Sequence, residues 1–208
     1  MTTRVRVRHH VNPLGSEFQR RKVGRIIVGD ESIEMELGCA DARFLFERAP
    51  HHPETRFVGV EIREPLVGWV NRTAQELGVP NVEAHFGHAY HHLDSLFADE
   101  RLDRIFVNFP DPWFKRRHEK RRLMSTELLK ILHRKLKPGG FLFFQSDVYE
   151  LALDALFVLE QAPEWFSNLQ GPWSFTRENP YDAKSLREVK CERRGDRIWR
   201  LHYLRSSP

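Results

Sequence analysis

The sequence predicts an α/β fold: a mostly parallel, doubly wound sheet with a C-terminal antiparallel hairpin. Three observations carry that prediction. From Ser32 onward, strand-like and helix-like stretches alternate at the spacing of successive βαβ units. Phe141 to Gln145 is almost wholly apolar, as a parallel strand buried on both faces must be. In the tail from Arg187 to Leu204, an Arg194-Gly195-Asp196 turn separates two strand-like arms.

In order, Ser32 to Leu37 reads as a first strand ending in Gly38, and Asp41 is placed to cap a helix carrying Phe44, Leu45 and Phe46 to about Ala49. Thr55 to Ile62 is a second strand. Pro65 suits a first helical turn, and Leu66, Val67, Val70, Ala74 and Leu77 recur at helical spacing until Gly78. Asn81 to Phe86 reads as a third strand, Tyr90 to Phe97 as a short helix and Leu102 to Asn108 as a fourth strand. Glu127 to Leu136 is helical, with Lys137-Pro138-Gly139-Gly140 as its stop before the apolar strand. After Asp147 a helix runs to about Leu159, followed by an aromatic-rich stretch from Trp165 to Phe175. In the last strand Trp199, Leu201 and Tyr203 share a face by period two.

The 208 residues fit one domain, from about residue 25 to 208, behind a basic arm of residues 1–24 that lacks a clear period. Cys39 and Cys191 form no CxxC or zinc pattern, which fits a reducing compartment. The first residues carry charge where a signal peptide needs an apolar run, and no run of eighteen apolar residues occurs; the expectation is a soluble, cytoplasmic protein. The histidines pair as His9-His10, His51-His52 and His91-His92. Adjacent residues do not share a helix face, so no metal is expected. The net charge is only +4. Its distribution matters more, because the basic excess follows Trp113 and recurs near the C-terminus.

The stretch from Arg104 to Leu123 organises the rest. An apolar strand leads into Asn108-Phe109-Pro110-Asp111-Pro112-Trp113, then into six basic residues among the eight from Lys115 to Arg122. Proline fixes its own φ and pushes the preceding residue out of the α region. Asp111 is therefore expected to be held rigidly among aromatic rings. The basic run that follows suits a polyanion, although such runs also serve as solvated helix faces. A second site is the turn from Glu36 to Ala42, with Glu61 at the end of the next strand. A glycine turn at Gly38 lets backbone N–H groups approach a ligand, and an acid placed like Glu61 suits ribose hydroxyls. Ala40 and Ala42 stand where such loops usually carry glycine.

The run from Phe109 to Arg122, FPDPWFKRRHEKRR, resembles the signature of the tRNA (guanine-N7)-methyltransferase family. The Glu36 to Cys39 turn, Val58-Gly59-Val60-Glu61, Ser146-Asp147 and Ser185-Leu186-Arg187-Glu188 match in order. The resemblance covers about residues 25–205. It implies a Rossmann-like class I methyltransferase that uses S-adenosylmethionine to methylate a guanine in the variable loop of tRNA. A monomer or homodimer is expected, with no metal and no membrane attachment. By the same resemblance Glu36, Gly38, Cys39, Glu61, His88, Ala89 and Asp111 meet the cofactor, and Asp111 is also catalytic. Lys115, Asp147, Ser185 and Glu188 would meet the substrate, with Arg117, His118, Lys120, Arg121 and Arg122 on the RNA. The chain departs from the family at Ala40 and Ala42, at His88, where the family has Asp or Asn, and at Ser185, where it has Thr. Two other readings stay open: an RNA-binding protein made catalytically silent by its altered turn, and a class I methyltransferase with another substrate.

Overall fold

The computed structural model describes residues 18, 20–27, 29–111 and 123–206. Its strands are β1 (Ser32–Leu37), β2 (Thr55–Glu61), β3 (Val82–Phe86), β4 (Leu102–Asn108), β5 (Leu136–Ser146), β6 (Phe166–Asn168) and β7 (Trp199–Arg205). They form one sheet in the order β3-β2-β1-β4-β5-β7-β6. The first five are parallel, and β7 runs antiparallel to both β5 and β6. The strand order reverses between β1 and β4, where a doubly wound sheet opens a crevice at its carboxyl edge.

Period-two alternation gives the sheet two faces. Ile33, Met35, Val58, Val60, Ile105, Val107, Leu142 and Phe144 point to one core, covered by α4 (Thr126–Lys135) and α5 (Tyr149–Glu160). Phe57, Phe106 and Phe143 point to the other, covered by α1 (Arg43–Arg48) and α2 (Glu64–Leu77). This second face also carries charge. Arg48, which is buried, donates to Glu34 at 2.7 and 2.8 Å and also pairs with Asp182, while Arg104 donates to Glu34 at 2.6 Å. Mutual pairing is what lets such groups leave water.

The helices begin and end by identifiable chemistry. The Ser125 hydroxyl caps α4 by accepting from Leu128 N–H at 3.2 Å, and Gly78 closes α2 at φ +65°, a conformation open to glycine at little cost. Four expectations need correction. The N-cap of α1 is Ala42, in a left-handed conformation without a side-chain cap, so Asp41 does not cap it. The short helix is α3 (Leu93–Leu96), not Tyr90 to Phe97. Strand β5 already begins at Leu136: Leu136 pairs with Leu102 and Phe141 with Arg104, so Lys137 to Gly140 bulge opposite the single residue Asp103. A Cβ on Gly140 would sit 2.9 Å from the Lys137 carbonyl and 3.0 Å from that of Asp103, which is why glycine stands there.

The fourth correction concerns the tail. The stretch from Arg187 to the Arg194 turn, read as the first arm of the hairpin, lies in helix α6 (Leu186–Arg194). Ser185-x-x-Glu188 is an N-terminal capping sequence, Arg193 and Arg194 lie in the last turn, and Gly195 closes the helix at φ +72°. Those local signals outweigh a weak alternation. The antiparallel C-terminal pair is made by β6 and β7 instead. Leu201 and Tyr203 are buried in the core with Trp199 packed against it, as the period-two reading expects.

Before β1, Phe18 is buried and its ring stacks 5.3 Å from that of His88. The His92 ring Nε2 lies 2.9 Å from the Phe18 carbonyl and 2.8 Å from that of Arg21. These contacts lay the segment over the carboxyl end of β3. No helix among the described residues is long and apolar enough to cross a membrane.

Candidate functional site

The turn after β1 is built by close approach and by strain. Gly38 sits at φ +78°, its N–H donating to the Val60 carbonyl at 2.7 Å, and nothing lies within 4 Å of where its Cβ would be. Ala40 and Ala42 both adopt φ +50°. That conformation costs an alanine about 1 to 2 kcal/mol relative to its favoured regions. The chain thus keeps the geometry of a glycine loop without two of its glycines. Beneath it, a Cβ on Gly59 would come 2.4 Å from Cys39 Sγ, so Gly59 makes the room in which Cys39 is buried. Burial, with Glu61 and Glu36 nearby, pushes the Cys39 thiol well up, and it is no nucleophile at neutral pH.

Two buried carboxylates frame the turn. Glu36, 3 % exposed, accepts from the Asn108 amide at 2.8 Å through Oε1, while its Oε2 is buried without a hydrogen-bond partner. Burial first, then the charges of Asp41 and Glu61, raise its pKa to about 8, against the relief given by Asn108. Glu61 is fully engaged: Oε2 accepts from Ala40 N–H at 3.0 Å and from Arg63 Nη2 at 2.9 Å, and Oε1 accepts from Arg63 N–H and Nε at 2.9 and 2.8 Å. Its hydrogen bond, and more weakly the charge of Asp111, hold the Arg63 pKa up. Asp111, three residues beyond the end of β4, therefore lies near enough to Arg63 to act on its charge. The chain bends to reach it at Phe109, φ +50°, whose N–H donates to the Gln145 carbonyl at 2.8 Å.

His88 and Ala89 follow β3 at the same edge. His88 Nδ1 accepts from Tyr90 N–H at 3.2 Å, the bond to residue i+2 that an Asp or Asn side chain makes in an Asx turn. The imidazole thus makes the local turn that an Asp or Asn, the residues the resemblance implies there, would make.

At the same edge, Asn108, Gln145 and Arg200 are direct neighbours across β4, β5 and β7. Gln145 Nε2 donates to Asn108 Oδ1 and to Glu188 Oε2, both at 3.0 Å, and Arg200 Nε donates to Gln145 Oε1 at 3.2 Å. Glu188 also accepts from Arg200 Nη2 at 2.9 Å and from Asn179 at 3.1 Å. It is wholly buried at the start of α6. The Ser185 hydroxyl accepts from Glu188 N–H at 3.2 Å, and Arg187 Nε donates to Asp147 Oδ2 at 3.0 Å.

The structure thus brings Glu36, Gly38, Cys39, Glu61, His88, Ala89, Asp111, Asp147, Ser185 and Glu188 to one edge of the sheet. Lys115, Arg117, His118, Lys120, Arg121 and Arg122 lie outside the described residues. Arg63, Asn108, Gln145, Asn179 and Arg200 were missed by the sequence reading. Polar residues closing otherwise apolar strands, at Asn108 and Gln145, were the available signal for two of them; the others carry none. Among the described residues no cluster of His, Cys, Asp or Glu is arranged to hold a metal ion.

The site residues fit S-adenosylmethionine: a buried carboxylate oxygen awaits a donor, and the glycine turn leaves open space beside its backbone. Comparison with known proteins agrees. The profile of a family described as putative methyltransferase matches residues 30–201. Among solved structures, a SAM-dependent methyltransferase from Aquifex aeolicus superposes with a TM-score of 0.58 at 14% identity, covering 85% of this chain and 84% of that one. An rRNA methylase from Streptococcus thermophilus gives 0.56 at 13% identity, covering 86% and 89%. At such identity these likenesses show the fold, that of class I methyltransferases. Curated relatives named tRNA (guanine-N(7)-)-methyltransferase are closer. One from Synechococcus sp. (strain JA-3-3Ab) is 36% identical over 94% of this chain and 84% of its own length. Another, from Synechococcus elongatus (strain ATCC 33912 / PCC 7942 / FACHB-805), is 35% identical over 97% of both. The chain belongs to the tRNA (guanine-N(7)-)-methyltransferase family.

Proposed function

We propose that this protein transfers a methyl group from S-adenosylmethionine to N7 of a guanine in the variable loop of tRNA, in the cytoplasm. The observation that carries the reading is the buried, unpartnered Oε2 of Glu36 beside the open Gly38 turn, with Asp111 following β4 at the sheet's switch point. An ammonium donor is the natural complement of that oxygen.

Guanine N7 has an in-plane lone pair, so the residues need not remove a proton first. Their work is alignment and charge. The cofactor, when bound, supplies the electrophilic methyl. Glu36 would take its ammonium end, Glu61, by exchanging a bond from Arg63, and the His88-Ala89 turn its nucleoside end, and the open space beside the Gly38 backbone would let it approach closely. Asp111, held beside the purine, stabilises the positive charge that develops on the ring, and fixed geometry lowers the barrier by proximity. Glu188 accepts from the guanine N1 and N2 donors by exchanging its bond from Asn179, with Lys115, Asp147 and Ser185 around the base. Arg117, His118, Lys120, Arg121 and Arg122 hold RNA phosphates.

The alternative of a silent RNA-binding protein rested on Ala40 and Ala42. Both alanines adopt the left-handed conformation the turn requires, which favours the enzyme. The test is incubation with S-adenosylmethionine and unmodified tRNA, followed by nucleoside mass analysis and sequence mapping. New 7-methylguanosine in the variable loop supports the proposal; methylation elsewhere on the tRNA or none at all counts against it.

A further inference from the structure

We infer that Gln145 and Arg200 are positioning residues for the carboxylate Glu36, acting through a one-way chain of hydrogen bonds that crosses four strands. The inference rests on the cofactor reading above and extends it to residues that touch neither cofactor nor substrate.

The direction of the chain follows from donor chemistry. A guanidinium can only donate. Arg200 Nε lies 3.2 Å from one end of the Gln145 amide, so that end is the oxygen, and the Gln145 NH2 must face Asn108 and Glu188, 3.0 Å from each acceptor. The Asn108 atom that accepts from it is therefore Oδ1, which turns the Asn108 NH2 onto Glu36 Oε1 at 2.8 Å. Arg200 is itself held by the buried Glu188 at 2.9 Å and by the Arg177 carbonyl at 3.1 Å. Each bond thus fixes the orientation of the next group, from β7 through β5 and β4 to β1.

Burial makes the arrangement matter. Gln145 is 0 % exposed, Arg200 7 % and Asn108 9 %, so water is poorly placed to stand in for a missing link. With Gln145 gone, Asn108 Oδ1 loses its buried donor, and Glu36 alone is left to hold the Asn108 amide. The amide then shifts toward another donor, Glu36 Oε1 shifts with it, and Oε2 is displaced from the place it would offer a cofactor ammonium.

The test is a double-mutant cycle read by calorimetric titration of the full chain with S-adenosylhomocysteine, which carries the same ammonium and carboxylate. Gln145→Met keeps side-chain volume and removes the link. It is expected to weaken binding about tenfold, but by less than about twofold when added to Glu36→Gln, because Gln145 then has no carboxylate to orient. A residue that merely supports the fold would weaken both backgrounds equally. Arg200→Lys, which retains the charge beside Glu188 but not the fixed Nε donor, is expected to cost about threefold, again only with Glu36 present; it decides the question if Gln145→Met does not fold. Folded variants that bind within about twofold of wild type, or equal losses in both backgrounds, overturn the inference alone. Wild-type protein that binds no S-adenosylhomocysteine overturns the cofactor reading and this inference with it.

Discussion

Replacing Glu36 with Gln should change how stability depends on pH, in a direction opposite to most carboxylate substitutions. The folded protein holds Glu36 at a pKa of about 8, against an ordinary value of 4.5. Between those values the native state binds a proton that the unfolded chain has lost, so stability falls as pH rises through that window. Ionisation of the unfolded chain then costs the fold about 1 kcal/mol at pH 5 and about 4 kcal/mol at pH 8, a loss of about 3 kcal/mol. Glu36→Gln removes this titration while keeping an acceptor for Asn108, and places an NH2 where Oε2 stood. Other titrating groups are common to both proteins and cancel in the difference. Urea unfolding at pH 5 to 8 should therefore find the variant gaining about 3 kcal/mol on wild type from pH 5 to pH 8. A difference between the two proteins that stays flat with pH refutes the reasoning.

Three further outcomes are expected. Ala40→Gly relieves a left-handed conformation worth about 1 to 2 kcal/mol and loses about 0.5 to 1 kcal/mol to unfolded-state entropy, so it should stabilise the protein slightly in the same assay; destabilisation would show that the alanine methyl packs to advantage. Arg48→Met leaves the buried Glu34 with Arg104 as its remaining listener among these pairs and should cost about 3 kcal/mol, seen as a lower urea midpoint with unchanged slope. If the six cations between Lys115 and Arg122 contact phosphates, tRNA affinity should fall about a thousandfold from about 50 to about 200 mM salt, measured by filter binding; a change below about tenfold speaks for a solvated face.

Fold and site differed in how openly the sequence declared them. The parallel strands were legible because burial on both faces forces continuous apolar runs, and the range Leu102 to Asn108 was read with the limits the structure gives. The α2 helix was legible through Pro65 and Gly78, residues whose φ preferences act locally. What failed was decided by longer-range contacts or by rival local signals. Lys137-Pro138-Gly139-Gly140 reads as a terminator, yet pairing with β4 makes it a bulge inside a strand. Ser185-x-x-Glu188 carried a helix start that the alternation around Val189 and Cys191 obscured. For the site, acids beside turns stood out, whereas Arg63 and Arg200 did not. Surface sequences are full of arginines, and their roles here depend on partners on neighbouring strands and turns.

The central claim is methyl transfer to guanine N7, and the most direct measurement is nucleoside mass analysis after incubating wild type and Asp111→Ala with S-adenosylmethionine and unmodified tRNA. The account predicts 7-methylguanosine from wild type and a rate lower by about a hundredfold or more in the variant. No 7-methylguanosine from a folded, tRNA-binding wild-type protein, or equal amounts from both, would contradict it.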